Sequence, residues 1–266
     1  MAAETAPGAG VEMRDGPAGG RIARLIIDNP ARLNCLNSAV LTALAYKARA
    51  LADDDDLRVV VLTGAGDRAF AGGADLKELG ATARPAEARA FITRVHEACA
   101  AIRDLPVPVI GRLFGHCLGA GLEIAASCDL RITAENGVFG MPEVKIGLPS
   151  VVEAALLPRL IGWGRTARLL YGGDNIDAAT ADAWGLVEQR VPISALDGAV
   201  DALADAMAAN EPLAMRNQKR LMRRWERLPL DEAVRAGIDS LAEAFDTDAP
   251  RVRIRGLLDE LAARKK

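Results

Sequence analysis

The chain has 266 residues, half of them hydrophobic and 26% charged, with a formal net charge of −3 at pH 7. That is enough for one large core, or for a main domain with a small appendage. The slightly acidic balance argues against nucleic acid or an anionic membrane as partner, and two histidines, His96 and His116, are too few for a histidine-rich metal site.

Residues 1–15 are rich in Ala, Gly and Pro and carry no apolar run of the signal-peptide kind, so they read as a flexible, frayed terminus. No apolar run reaches the length of a membrane span. The cysteines at 35, 99, 117 and 128 have no C-x-x-C spacing and stand in apolar company. They read as reduced core residues, which points to a cytoplasmic protein.

Arg24-Leu25-Ile26-Ile27-Asp28 forms a short apolar strand, stopped by Asn29-Pro30. Ser38 then stands as a candidate N-cap for a helix with Val40, Leu41, Leu44 and Leu51 on its apolar side. The acidic run Asp53 to Asp56 reads as a solvated helix end and turn, since nothing nearby supplies converging metal ligands. Arg58 to Thr63 is β-branched and bounded by glycines, hence a buried strand. The Gly72-Gly73 pair before a helix-like segment can bring backbone N–H groups close to a ligand. A helix with Phe91, Ile92, Val95 and Ala98 on one side follows, and Val109-Ile110 starts a third strand. Strands alternating with helices imply right-handed crossovers and an α/β fold with a partly parallel sheet.

From Gly111 to Gly147 the chain carries its densest chemistry. A glycine-rich turn, Gly115 through Gly121, runs into an apolar helix holding one acid, Glu123. Leu130 to Thr133 is β-like, and a second isolated acid, Glu143, follows Pro142. Backbone N–H groups of Ala74 and Ala120, each at a glycine turn entering a helix, are candidate oxyanion donors. One such donor aimed at an oxygen that gains negative charge is worth about 10²–10³ in rate. A carboxyl on an apolar helix has its pKa raised by desolvation, which suits proton transfer near neutral pH.

After Pro149 the chain turns helical: Ala154 to Leu160, Thr166 to Tyr171 and Ala178 to Leu186, with a short strand at Glu188 to Val191. From Ser194 on, Leu196–Ala209, Pro212–Arg227 and Leu230 to the end all read as helix. The organisation expected is a flexible terminus over 1–15, an α/β core over 16–195 and a helical region over 196–266. The basic side of Arg216, Lys219, Arg220, Arg223 and Arg224 reads as a solvated face or subunit contact, with an anionic ligand as the alternative.

These residues together resemble the enoyl-CoA hydratase/isomerase (crotonase) superfamily. The resemblance rests on Asn29-Pro30 with Asn34-Cys35-Leu36-Asn37, on F-A-G-G-A-D-L-K-E-L from Phe70, and on G-H-C-L-G-A-G-L-E from Gly115. It continues through Ser127 to Arg131, F-G-M-P-E-V-K-I-G from Phe139, and Ala178 to Val187. It implies a spiral of ββα units followed by C-terminal helices that assemble trimers or dimers of trimers. It also implies a CoA thioester as substrate, with no metal and no cofactor beyond the CoA that the substrate carries. The N–H groups of Ala74 and Ala120 would hold the thioester carbonyl, and Ala71, Asp75, Leu76, Lys77 and Ser150 would meet the substrate or its CoA. Acids at the positions of both Glu123 and Glu143 favour hydration of a trans-2-enoyl-CoA, Glu123 acting on the water and Glu143 on the C2 proton. An isomerase, dehydratase or hydrolase of the same fold, or a silent acyl-CoA-binding relative, are the alternatives. The run Ser150-Val151-Val152-Glu153 departs from the small, glycine-rich run of many hydratases, and leaves Glu153 either a structural acid or part of the pocket.

Overall fold

The computed structural model describes residues 7–264, which divide into two units after Ala208. In the first, β1 (Gly8–Asp15) and β2 (Arg21–Asp28) form an antiparallel hairpin. A 3-10 turn at Pro30–Arg32 leads to α1 (Ser38–Ala52), and β3 (Leu57–Gly64) then lies parallel to β2. After β3 comes β4 (Ala69–Ala71), followed by α2 (Leu76–Gly80) and α3 (Pro85–Arg103). The pair β5 (Val109–Leu113) and β6 (His116–Leu118) leads into α4 (Ala120–Ala126). The pair β7 (Leu130–Ala134) and β8 (Val138–Gly140) leads into two 3-10 turns, Pro142–Ile146 and Val152–Leu156. The unit closes with α5 (Leu157–Ile161), α6 (Trp163–Gly172), β9 (Ile176–Asp177), α7 (Ala178–Trp184), β10 (Gln189–Val191) and α8 (Leu196–Ala208).

Among the described residues the first strand of each pair joins a six-stranded sheet, ordered β1-β2-β3-β5-β7-β10. The second joins a four-stranded sheet, ordered β4-β6-β8-β9. This is the expected ββα spiral. Side-chain alternation along β3 sorts the core: Val60 and Leu62 pack with α1 and α3 residues such as Leu44 and Val95, while Val59 and Val61 pack under Leu196, Val200 and Ala204 of α8.

Several sequence expectations change here. Residues 8–15 are not frayed: they pair with β2 from Gly8↔Asp28 to Asp15↔Arg21, because β2 offers an unpaired edge. The rest of the 1–15 segment, residues 1–6, lies outside the described residues. The chain is helical from Leu196 as expected, but the units divide after Ala208 and not at 196, since α8 buries Leu196, Val200, Ala204 and Ala208 at helical spacing against the large sheet. Asn37, not Ser38, caps α1, its side chain accepting from the Val40 N–H at 2.9 Å. The turn read over Gly115 to Gly121 contains β6. The acidic run is a turn as expected, with the Asp54 carboxylate accepting from the Asp56 N–H at 2.9 Å and from Arg21 at 2.6 Å.

The second unit consists of α9 (Pro212–Trp225), α10 (Leu230–Ala244) and α11 (Ala249–Ala263). The indole N–H of Trp225 donates to the carbonyl of Ala233 at 2.9 Å, fixing α9 to α10. What read as one helix from Leu230 is two, broken over residues 245–248 and restarted with Pro250 in the first turn of α11. Along the basic side of α9, Arg220 pairs with Glu243 and Arg223 with Glu226. No helix among the described residues is long and apolar enough to cross a membrane.

Candidate active site

Two loops present unused backbone donors. The Asn29–Asn37 loop is knotted by Asn34, whose side-chain amide donates to the carbonyls of Ala65 and Ala69 at 2.9 and 2.8 Å and whose Oδ1 accepts from the Asn29 N–H at 2.9 Å. That loop fixes the glycine pair beside it. Gly72 N–H reaches Leu33 O at 2.8 Å, Leu36 N–H reaches Gly73 O at 2.8 Å, and Asp75 N–H reaches Leu36 O at 3.0 Å. Pairing on both sides of Ala74 leaves its own N–H without an acceptor within the described residues, and Ala74 lines a cavity of about 360 Å³.

The second donor stands across that cavity. Gly119 takes φ +51°, donates to Gly140 O at 2.9 Å, and accepts from the N–H groups of Leu122 and Glu123 at 2.8 and 3.1 Å. The Ala120 N–H at the start of α4 has no acceptor within the described residues, and Ala120 lines the same cavity. α4 lies so close to β4 that a Cβ at Gly121 would collide with the carbonyl oxygen of Ala71. The glycines are there for backbone approach.

Both predicted acids line this cavity. Glu123, on the first turn of α4, is 3% exposed, and its Oε1 accepts from the Ala154 N–H at 3.2 Å. Burial, reinforced by the charge of Glu143 and more weakly by that of Glu153, pushes its carboxyl up to about 8, against the pull of the Ala154 and Val151 N–H groups. Glu143, half-buried on the Pro142–Ile146 turn, accepts from the Ser150 hydroxyl at 2.8 Å through Oε2. Its Oε1 fills the space a Cβ of Gly119 would occupy. Leu79, Phe91, Ile92, Leu148, Pro149 and Val151 supply an apolar wall. One site therefore holds two free amide donors, two carboxyls and an apolar slot.

The remaining expected contacts are distributed unevenly. Ser150 donates its hydroxyl to Glu143 and stands outside the residues that line the cavity. Ala71 is fully buried beneath α4. Asp75 is 2% exposed, caps α2 by accepting from the Lys77 and Glu78 N–H groups, and pairs with Arg32 at 2.5 Å. The hydrogen bonds and the Arg32 cation outweigh burial and hold its carboxyl below the ordinary range, so it shapes the loop as a fixed anion. Leu76, 63% exposed, and Lys77 stand at the surface, outside the residues that line the cavity. The sequence reading missed the α2 and α3 wall of Leu79, Phe91 and Ile92, although the apolar periodicity of α3 carries it. Among the described residues no group of three or more His, Cys, Asp or Glu side chains is placed to hold a metal ion.

A family model described as enoyl-CoA hydratase/isomerase matches residues 18–259. The chain belongs to that family. It is 34% identical to the short-chain-enoyl-CoA hydratase of Clostridium acetobutylicum over 86% of this chain and 88% of that one. It is 32% identical to the crotonyl-CoA hydratase of Syntrophomonas wolfei over 91% and 94%. The crystal structure of an enoyl-CoA hydratase from Bacillus anthracis superposes with a TM-score of 0.87 at 28% identity, covering 94% of this chain and 96% of that one. The fold is the crotonase fold.

Proposed function

We propose that the protein is an enoyl-CoA hydratase that adds water reversibly to a short trans-2-enoyl-CoA. The observation that carries this reading is the pairing of two carboxyls in one cavity with two amide N–H groups that nothing else uses. The thioester oxygen is held by the N–H groups of Ala74 and Ala120, which stabilise the enolate that forms as water attacks. The water oxygen bonds to C3 while its proton passes to Glu123. The electron pair of the C2=C3 bond moves towards the carbonyl, and C2 takes the proton of Glu143 as the thioester reforms.

This sequence ends with Glu143 ionised and Glu123 protonated, and burial favours the protonated form of Glu123 in the resting site. Dehydration starts from that state: Glu143 removes the C2 proton and Glu123 protonates the leaving hydroxyl. Hydration starts from the tautomer, with the shared proton moved to Glu143 through the water both acids hold. Only carboxyls and amides take part, so the proposed reaction uses no metal and no cofactor beyond the substrate's own CoA.

Leu76 and Lys77, exposed on the first turn of α2 next to Ala74, are assigned to the CoA moiety, with Ala71 and Asp75 shaping the loop beneath them. No two of the four cysteines are joined in a disulfide among the described residues, which supports the cytoplasm as the compartment. Exposed apolar residues on the second unit, among them Leu230, Val234, Ile238, Leu241, Leu257 and Leu258, support assembly as a homotrimer or dimer of trimers. A monomeric mass by light scattering rejects that assembly.

The activity is tested by following the enoyl-thioester absorbance of crotonyl-CoA. The expected outcome is a catalytic fall to equilibrium with 3-hydroxybutyryl-CoA as product, reduced about 10²–10⁴-fold by Glu123→Gln or Glu143→Gln with acyl-CoA binding retained. A parent chain that leaves the band unchanged while binding crotonyl-CoA overturns the reading. Glu123→Gln at full activity overturns the assignment of the water to Glu123.

A further inference from the structure

Behind Glu123 lies a third acid that the hydration chemistry does not use. Glu153 is 8% exposed, on the Val152–Leu156 turn, and its Oε1 lies 2.8 Å from Nδ1 of His96 on α3. The imidazole itself is 55% exposed. The other oxygen, Oε2, is buried and has no hydrogen-bond partner among the described residues. Cys99, one turn along α3 from His96, faces the same carboxyl and is pushed well up by burial and by the charge of Glu153. A buried carboxylate with one oxygen unpaired is expensive, and such groups persist where they serve a purpose.

The turn that carries Glu153 is strained. Val152 has φ +38°, a left-handed conformation that a β-branched side chain resists at a cost of about 1–3 kcal/mol. On either side of it stand the two backbone groups that hold Glu123, the N–H of Val151 and that of Ala154. The turn packs against α4 and α3. The Glu153 side chain ties it to α3, at 2.8 Å to His96 and against the thiol of Cys99.

We propose that Glu153 and His96 form a positioning couple that clamps the strained Val152 turn, so that the Val151 and Ala154 N–H groups stay aimed at the Glu123 carboxyl. The couple acts through Glu123 and touches no reacting atom. The inference deepens the hydratase reading and rests on it for its kinetic consequences. The titratable groups facing Glu123 are Glu143 from the Pro142–Ile146 turn, Glu153 from the Val152 turn and Cys99 from α3. Loss of the Glu153 charge removes one of two anions that oppose ionisation of Glu123. Loss of the clamp removes the amides that favour ionisation. Glu153→Gln and His96→Ala therefore move the titration of Glu123 in opposite directions, down and up.

The experiment measures crotonyl-CoA hydration against pH for Glu153→Gln, Glu153→Ala, His96→Ala and His96→Gln. Glu153→Ala and His96→Ala should lower kcat about 10- to 100-fold with KM within a few-fold of the parent, as expected for a displaced acid/base group rather than lost binding. His96→Gln, which retains a donor for Oε1, should recover most of the loss. Val152→Gly, which adopts φ +38° freely, should restore part of the rate in the Glu153→Ala background. The kinetic limb set by Glu123 should shift to lower pH in Glu153→Gln and to higher pH in His96→Ala. Unaltered kcat and pH limbs in folded variants overturn the clamp, as do limbs that shift in the same direction. A parent chain inactive on crotonyl-CoA defeats the hydratase reading alone, because a second readout needs no substrate. In a thermal-denaturation double-mutant cycle between Glu123→Gln and His96→Ala across about pH 5 to 9, the clamp predicts a coupling that grows with pH as Glu123 ionises against the held amides, and additivity at every pH rejects it.

Discussion

Glu123 and Glu143 are the same residue held in two different ways, and the difference sets the chemistry. Glu123 sits on a helix, nearly sealed from water, and its described hydrogen bonds come from backbone amides of a neighbouring turn. Glu143 sits on a 3-10 turn, half open to water, with a serine hydroxyl on one oxygen and a glycine cleared for the other. The sealed acid holds its proton to about pH 8 and presses against its partner's charge. The open one keeps solvent and a hydroxyl against its oxygens. Environment, not residue type, divides a pair of carboxyls so that one proton serves both.

The sharpest way to break the contrast is at Gly119. Its φ of +51° with ψ −125° is a conformation that side chains resist, and a Cβ there collides with Oε1 of Glu143. It also sets the turn that presents the Ala120 N–H. Gly119→Ala should thus displace an acid and an oxyanion donor together, lowering kcat on crotonyl-CoA by about 10²–10³-fold. The backbone strain should cost about 1–3 kcal/mol in stability besides. Steady-state kinetics paired with a urea titration separate the two, and a folded Gly119→Ala chain with parental kcat removes Gly119 from the site.

The same contrast explains what the sequence makes legible. β2, β3 and β5 announce themselves by β-branched runs, and both glutamates by their isolation beside glycine turns. β4, β6 and β8 have three residues each, too few for alternation to register, and they exist because neighbouring turns of the spiral pair with them. β1 carries little hydrophobic signal because its strand character comes from the edge of β2. The amide cradle of Glu123 and the clamp behind it join positions 31 and 57 residues apart, from a turn whose φ at Val152 no propensity predicts. Motif spacing locates the acids. It does not reveal what holds them.

The smaller test reads the seal on Glu123 directly. Its folded pKa, about 8, lies above its ordinary 4.5, so between those values the folded chain binds more protons than the unfolded one. Stability contributed by the neutral form is complete below about pH 4.5 and is lost as pH rises through about 8. Glu123→Gln keeps the shape and removes the ionisation. Its Tm should match or trail the parent's near pH 5, where the parent carboxyl is neutral and hydrogen-bonded. Above pH 8 it should exceed the parent's by the equivalent of about 1–3 kcal/mol. Glu143→Gln relieves part of the same repulsion from the open side and should give a smaller rise. Equal, pH-independent effects at the two positions would mean that the two acids are solvated alike, and that burial is not what sets them apart.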